Sequence, residues 1–184
     1  QTQVKTVIPY YKRFIAKFPN LKRLSAASLD EIMELWGGLG FYRRAENIHK
    51  SLRKIENNFN GVFPETYNDI LTLPGIGRTT ASAIVTFSGK GHRSILDGNV
   101  KRVLARFFMI EGWYGVKKVE NRLWEISDAV TPKGNVTEFN QAMMDLGASL
   151  CSRSRYQCEP CPLVSKCQAF ANNKVKEFYI GGER

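Results

Sequence analysis

Apolar residues recur at spacings of three and four along most of this chain. Val4, Val7, Ile8, Tyr11, Ile15 and Phe18 form one stripe, Leu29, Ile32, Met33 and Trp36 a second, and Ala45, Ile48, Leu52 and Ile55 a third. Later stretches repeat the pattern through Val100, Val103, Leu104, Phe107 and Phe108, then Phe139, Ala142, Met143, Leu146 and Leu150. This period belongs to α-helices that lay one face on a core, and each stripe is expected to be core-facing. Ser28 followed by Glu31 reads as a capping box that opens the second helix. Short joints rich in Gly and Pro separate the stripes: Gly37-Gly38-Leu39-Gly40, Phe63-Pro64, Pro74-Gly75-Ile76-Gly77 and Pro132-Lys133-Gly134. No segment alternates strictly enough to form a sheet. The expectation is an all-α fold of many short helices.

The 184 residues, 43% of them hydrophobic, are enough to bury a core in one domain or two small ones. No apolar run is long enough to span a membrane. No charged-then-apolar leader opens the sequence, so an intracellular protein is expected. The formal charge of +10 is spread through every segment, which suits a polyanionic partner as well as it suits plain solvated faces. Trp36, Trp113 and Trp124 are expected in core or interlobe packing, and His49 and His92 suggest no specific chemistry.

All four cysteines lie between 151 and 167, in the pattern C-x6-C-x2-C-x5-C. Such clustering points to a metal centre rather than to distant staples. Cys151, Cys158, Cys161 and Cys167 could wrap an iron–sulfur cluster or hold a tetrahedral zinc, although zinc ribbons present two close Cys pairs and only Cys158 and Cys161 form one. Disulfides are a third reading.

Ile70 to Ala81 reads as helix, tight turn, helix. Pro74 stops the first helix, and Gly75 and Gly77 permit turn conformations that other residues resist. Glycine backbone at a new helix start can also approach a phosphate closely. Asp97, just ahead of the Val100 stripe, reads on its own as a helix N-cap.

The string Leu73-Pro74-Gly75-Ile76-Gly77-Arg78-Thr79-Thr80-Ala81 is similar to the helix-hairpin-helix signature of DNA repair glycosylases. The cysteine spacing resembles the [4Fe–4S] loop of endonuclease III-like and MutY-like enzymes. Gln1-Thr2-Gln3-Val4, Leu35 to Tyr42 and Phe139 to Ala148 extend the resemblance over essentially the whole chain, to the MutY-type adenine DNA glycosylases. That resemblance implies a two-lobed fold: residues 1–95 as a six-helix lobe with its hairpin at about 70–87, and residues 96–184 as the cluster lobe. It implies removal of adenine mispaired with 8-oxoguanine or guanine in double-stranded DNA, by a monomer without a membrane partner. The setting would be the cytoplasm and nucleoid of a bacterium, or the nucleus or mitochondrion of a eukaryote.

By the same resemblance Asp97 is the catalytic carboxylate and Asn99 its companion. Gly75, Gly77 and Arg78 grip the DNA backbone, as do Arg153 and Arg155 in the cysteine loop, with plain solvated arginines as the lesser reading for that pair. Gln1, Thr2 and Leu39 are candidate DNA contacts. Phe41 stands where the family commonly has a Tyr that wedges into the base stack. Endonuclease III-like enzymes carry a nucleophilic lysine directly after the hairpin Arg. Thr79 occupies that position here and is expected to line the base pocket, which implies hydrolysis without strand cutting. The family's general-acid glutamate lies upstream of its Gln-Thr-Gln-Val stretch, and a C-terminal recognition domain comes after its cluster. The chain is therefore expected to be truncated at both ends and weak or inactive alone. A catalytically dead homologue, a pure DNA-binding module and an endonuclease III-like or thymine-mismatch glycosylase are the alternatives.

Overall fold

A computed structural model describes residues 4–178. The expected all-α character is observed: α-helices, one 3-10 turn and no strand occur among the described residues. The helices are α1 (Val4–Lys17), α2 (Leu21–Ser25), α3 (Leu29–Trp36), α4 (Arg43–Phe59), α5 (Tyr67–Leu71) and α6 (Arg78–Phe87), then α7 (Gly98–Phe107), α8 (Lys117–Val130), α9 (Val136–Ala148) and α10 (Gln168–Ala171). None is long and apolar enough to cross a membrane.

The chain forms two compact units that part between Ala81 and Ser82, earlier than the junction at 95 that the resemblance implies. Hydrogen bonds explain why residues 82–95 group with the helices after them. The buried Thr86 hydroxyl donates to the Arg93 carbonyl, Ser94 donates to Asp128, and Asn140 bonds the backbone of Arg93 and Ile95.

In the first unit, Ile32, Ala45 and Leu52 are buried with Phe18 and Ala27, and Phe14, Ile48 and Trp36 pack against them. The α3 and α4 stripes therefore do what their spacing predicts. The capping box also forms. Ser28 N–H donates to Glu31 Oε2 at 2.8 Å, and Glu31 N–H donates to Ser28 Oγ at 3.2 Å. The α1 stripe does not behave as expected. Val4, Ile8, Tyr11 and Ile15 are exposed, and α1 is anchored through Phe14 and Phe18, whose rings meet each other edge-on and, through Phe14, Trp36.

In the second unit, Leu96, Val100, Leu104, Leu123, Trp124 and Ile126 make the core, with Phe108 and Met143 against it. The α7 stripe is thus borne out. The α9 stripe is borne out in part: Met143 packs on this core and Leu146 lines an inner hollow, but Ala142 is exposed and the fully buried positions of that helix are Asn140 and Gly147. Trp124 is a core residue and Trp36 packs on the first core, but Trp113 is 52% exposed, its ring lying over Gly115.

The hydrogen bonds from Ser28 hold the Glu31 carboxyl below the usual glutamate range. A carboxyl so depressed contributes its stability fully at neutral pH and loses it as pH falls through the folded value. Glu31→Gln is expected to destabilise the protein at pH 7, with the gap to the parent closing below pH 4.5. Denaturant melts across that range check it.

Candidate active site and cysteine loop

Helix α7 needs a cap because its first N–H groups have no partner within the helix. Asp97 supplies it. Its Oδ1 accepts from the backbone N–H of Asn99 at 3.0 Å and of Val100 at 2.8 Å, and its Oδ2 accepts from Asn99 Nδ2 at 3.2 Å. The capping geometry read from the sequence is therefore present. It leaves a half-buried carboxylate fixed by three hydrogen bonds beside the exposed Gly98. The segment leading to it is clamped by Asn140, a side chain 2% exposed. Asn140 Oδ1 accepts from Ile95 N–H at 2.9 Å, while Nδ2 donates to the carbonyls of Arg93 at 3.0 Å and Val136 at 2.9 Å.

The bonds continue past Asn99. Its Oδ1 accepts from Arg102 Nη2 at 2.8 Å, and Arg102 Nε donates to the Cys151 carbonyl at 2.7 Å. Burial lowers the Arg102 pKa, yet the group keeps its carbonyl partners, including Gly147. Helices α7 and α9 can come this close because residue 147 has no side chain: a Cβ there would lie 2.7 Å from the Asn99 backbone oxygen.

Downstream, Cys151, Cys158, Cys161 and Cys167 are free thiols. All four line one hollow, together with Val103, Arg106, Phe107 and Leu146. No three His, Cys, Asp or Glu side chains among the described residues come together so as to hold a single metal ion. Burial, and then the neighbouring cysteines, pushes the Cys158 thiol up. The buried Arg106 guanidinium reaches Cys151 Sγ at 3.3 Å, and the Ser152 hydroxyl is buried without a hydrogen-bond partner. Arg153 and Arg155 are exposed on the loop.

In the first unit the hairpin forms as read. Helix α5 ends at Leu71 with Thr72 as its C-cap, the Ile76 N–H donates to the Leu73 carbonyl at 3.1 Å, and α6 begins at Arg78. Only Gly75 needs glycine's conformational freedom, at φ +77°; Gly77 does not have positive φ, and nothing lies within 4 Å of where its Cβ would be. Gly75, Gly77 and Arg78 are exposed, and Thr79 is half-buried at the start of α6. One face of α4 supports the turn. Asn47 fills the space a Cβ of Gly75 would need, Ser51 Oγ donates to the Pro74 carbonyl at 3.3 Å, and Lys54 Nζ donates to the Thr72 carbonyl at 2.9 Å. Their spacing of four and three was a legible signal of a polar helix face.

Leu39 is half-buried in the turn before α4, and the next residue but one, Phe41, is 57% exposed at φ +53°. An aromatic residue in that left-handed region costs about 1–3 kcal/mol. Trp36 Nε1 holds the turn by donating to the Gly40 carbonyl at 3.0 Å, and the Arg44 guanidinium lies 4.4 Å from the Phe41 ring centre. Gln1 and Thr2 lie outside the described residues. Thus Asp97 and Asn99 are brought together, and so are the four cysteines. The hairpin glycines, Arg78, Thr79, Leu39 and Phe41 belong to the other compact unit.

Residues 1–128 match the model of the HhH-GPD superfamily of base excision DNA repair proteins, a span that includes the hairpin and Asp97. The chain belongs to this superfamily. It is 48% identical over 175 residues to an adenine DNA glycosylase of Buchnera aphidicola, covering 95% of this chain and 49% of that protein. It is 39% identical over 183 residues to the adenine DNA glycosylase of Homo sapiens, covering 99% of this chain and 34% of that one. The chain therefore spans about half the length of the bacterial relative. Among solved structures, a trapped endonuclease III–DNA covalent intermediate matches with a TM-score of 0.81 at 25% identity, covering 94% of this chain and 80% of that one. The all-α fold expected from the sequence is the superfamily's.

Gly147→Ala is expected to push α7 and α9 apart and to cost about 1–3 kcal/mol, as overpacking does. Gly98→Ala, where nothing lies within 4 Å, is the control expected to change little. Chemical denaturation followed by circular dichroism compares them.

Proposed function

We propose that this chain is the DNA-engaging core of an adenine-specific DNA glycosylase, which hydrolyses the N-glycosidic bond of adenine mispaired with 8-oxoguanine or guanine after the base leaves the stack. The observation that carries the reading is the fixed Asp97 carboxylate, half-buried at the start of α7 and held by Asn99. Cleavage of the bond leaves positive charge on the sugar, and a carboxylate already in place stabilises it without reorganising. Water then adds to the sugar carbon, and the base departs with a proton. Asn99 keeps the carboxylate oriented beside the sugar. Thr79 lines the base pocket; because it is not an amine it forms no Schiff base, so the strand stays intact.

The turn around Gly75, Gly77 and Arg78 would bind phosphates through backbone N–H groups and charge, with Arg153 and Arg155 adding contacts from the cysteine loop. Leu39 and Phe41 would enter the duplex, Phe41 supplying a stacking surface worth about 1–3 kcal/mol per base. Gln1 and Thr2 would contact the oxidised guanine. Cys151, Cys158, Cys161 and Cys167 would hold a [4Fe–4S] cluster. Four free thiols around one hollow, with a buried cation that reaches Cys151 Sγ, suit a polynuclear anion. Such a cluster supplies structural support and DNA contact when bound, not base removal. The protein would act as a monomer wherever the cell keeps its DNA.

The test is single-turnover release of adenine from duplexes with A opposite 8-oxoguanine, read by alkaline cleavage of the product, in the full-length protein. Asp97→Asn is expected to lower the rate by roughly 10²–10³-fold while leaving duplex affinity within about twofold. Covalent trapping of the unsubstituted protein on DNA by borohydride would overturn the hydrolytic mechanism. Undiminished turnover in Asp97→Asn would overturn the role of that residue.

A further inference from the structure

We propose that Arg106 and Ser152 form a built-in counter-charge and hydrogen-bond donor for the group held by the four cysteines. This rests on the [4Fe–4S] reading above. Arg106, in the last turn of α7, is 1% exposed, and it is the largest fully buried side chain of the chain's described part. Every polar partner it has is uncharged or a cysteine. Its Nε donates to the Val175 carbonyl at 3.2 Å, Nη1 to the carbonyls of Cys151 at 3.3 Å and Ser152 at 2.9 Å and to Cys151 Sγ at 3.3 Å, and Nη2 to the Arg153 carbonyl at 3.2 Å. Its face lies 5.0 Å from the centre of the Tyr156 ring. Among the described residues no carboxylate pairs with it.

A guanidinium taken fully out of water is expensive to hold without an anion, and carbonyl dipoles offset that cost only in part. The described residues supply no anion to it, but the site beside it would. A [4Fe–4S] core bound by four thiolates carries net negative charge, and Cys151 Sγ is already a contact of Arg106. The Ser152 hydroxyl is a second, independent sign. It is buried with no protein partner, next in sequence to Cys151, so it is a donor left over in the folded chain. Arg106 lines the hollow with Cys151, and Ser152 follows Cys151 in sequence with its carbonyl bonded to Arg106. A plain staple for the loop would account for the carbonyl bonds of Arg106; it accounts neither for the need of a full charge nor for the idle hydroxyl.

The two explanations separate in the protein purified with its native cluster. Three variants are compared with the parent: Arg106→Gln, Arg106→Lys and Ser152→Ala. Iron per chain, the rate at which a chelator bleaches the cluster's visible absorption, and the cluster's reduction potential by voltammetry are the readouts. Removing a nearby positive charge disfavours the more reduced cluster. Arg106→Gln should bleach roughly tenfold faster or more, as loss of an outer partner of a metal site does. Its potential should fall by the equivalent of a tenfold change in relative affinity, about 59 mV for one electron. Arg106→Lys should stay closer to the parent potential because it keeps the charge. Ser152→Ala removes no protein hydrogen bond, so on the staple reading it is neutral; here it should bleach faster. Parent-like potential in Arg106→Gln together with parent-like bleaching in Ser152→Ala overturns the counter-charge. If Arg106→Gln does not fold, Ser152→Ala and Arg106→Lys decide on the same readouts. A parent protein that binds no iron overturns the cluster reading itself, and this inference with it.

Discussion

Helix α7 can lie against α9 only because position 147 carries no side chain, and much of the second unit's chemistry hangs on that approach. A Cβ at Gly147 would meet the backbone of Asn99 at van der Waals-violating distance. With the gap closed, one polar row along α7 reaches across it. Asn99, Arg102 and Arg106 succeed one another at spacings of three and four, the spacing of neighbours on a helix face. The first holds the Asp97 carboxylate, the second bonds Asn99 and the Cys151 carbonyl, and the third bonds the loop from Cys151 to Arg153. One helix thus sets both the carboxylate at its start and the cysteine loop near its end.

The choice of arginine in that row has a physical reason. The last carbonyls of a helix lack internal partners and carry its partial negative charge. At the end of α9 those groups include the Gly147 carbonyl, and Arg102 bonds it together with the Cys151 carbonyl in the loop beyond. Its planar fork can serve several acceptors from one position, which a lysine cannot do in the same geometry. The arrangement concentrates positive charge beneath the cysteine loop, on its buried side, while Arg153 and Arg155 place more on the exposed side. A loop so flanked favours an anion within it and a polyanion outside it.

What the sequence made legible was local. The capping box at Ser28, the hairpin turn, the N-cap at Asp97 and the cysteine loop are each written in a few consecutive residues, and the folded chain forms the first three as read. Tertiary choices were not legible. The α1 stripe has a helical period, but period cannot say whether a partner surface exists, and Val4, Ile8, Tyr11 and Ile15 are exposed. On α9 Met143 packs as patterned, but Ala142 is exposed and the fully buried positions are an asparagine and a glycine, residue types that hydrophobic patterning passes over. Arg102 and Arg106 looked like two more positive charges in a basic chain, because only the fold puts them against carbonyls far along the sequence.

The hairpin repeats the same device with different residues. A turn whose exposed backbone is proposed to bind phosphate cannot also use that backbone to hold itself together, so its rigidity has to come from elsewhere. Asn47, Ser51 and Lys54 of α4 provide it, leaving the open side of Gly77 clear. Phosphate contacts made there carry no sequence information. On the proposed function, discrimination between adenine and other bases resides in groups that meet the flipped base, where Thr79 is proposed to lie, and catalysis in a carboxylate whose position tolerates little error. That division explains why so much of the chain's polar bonding is spent on holding two short segments still: the turn at Pro74–Gly77 and the residues from Arg93 to Asp97.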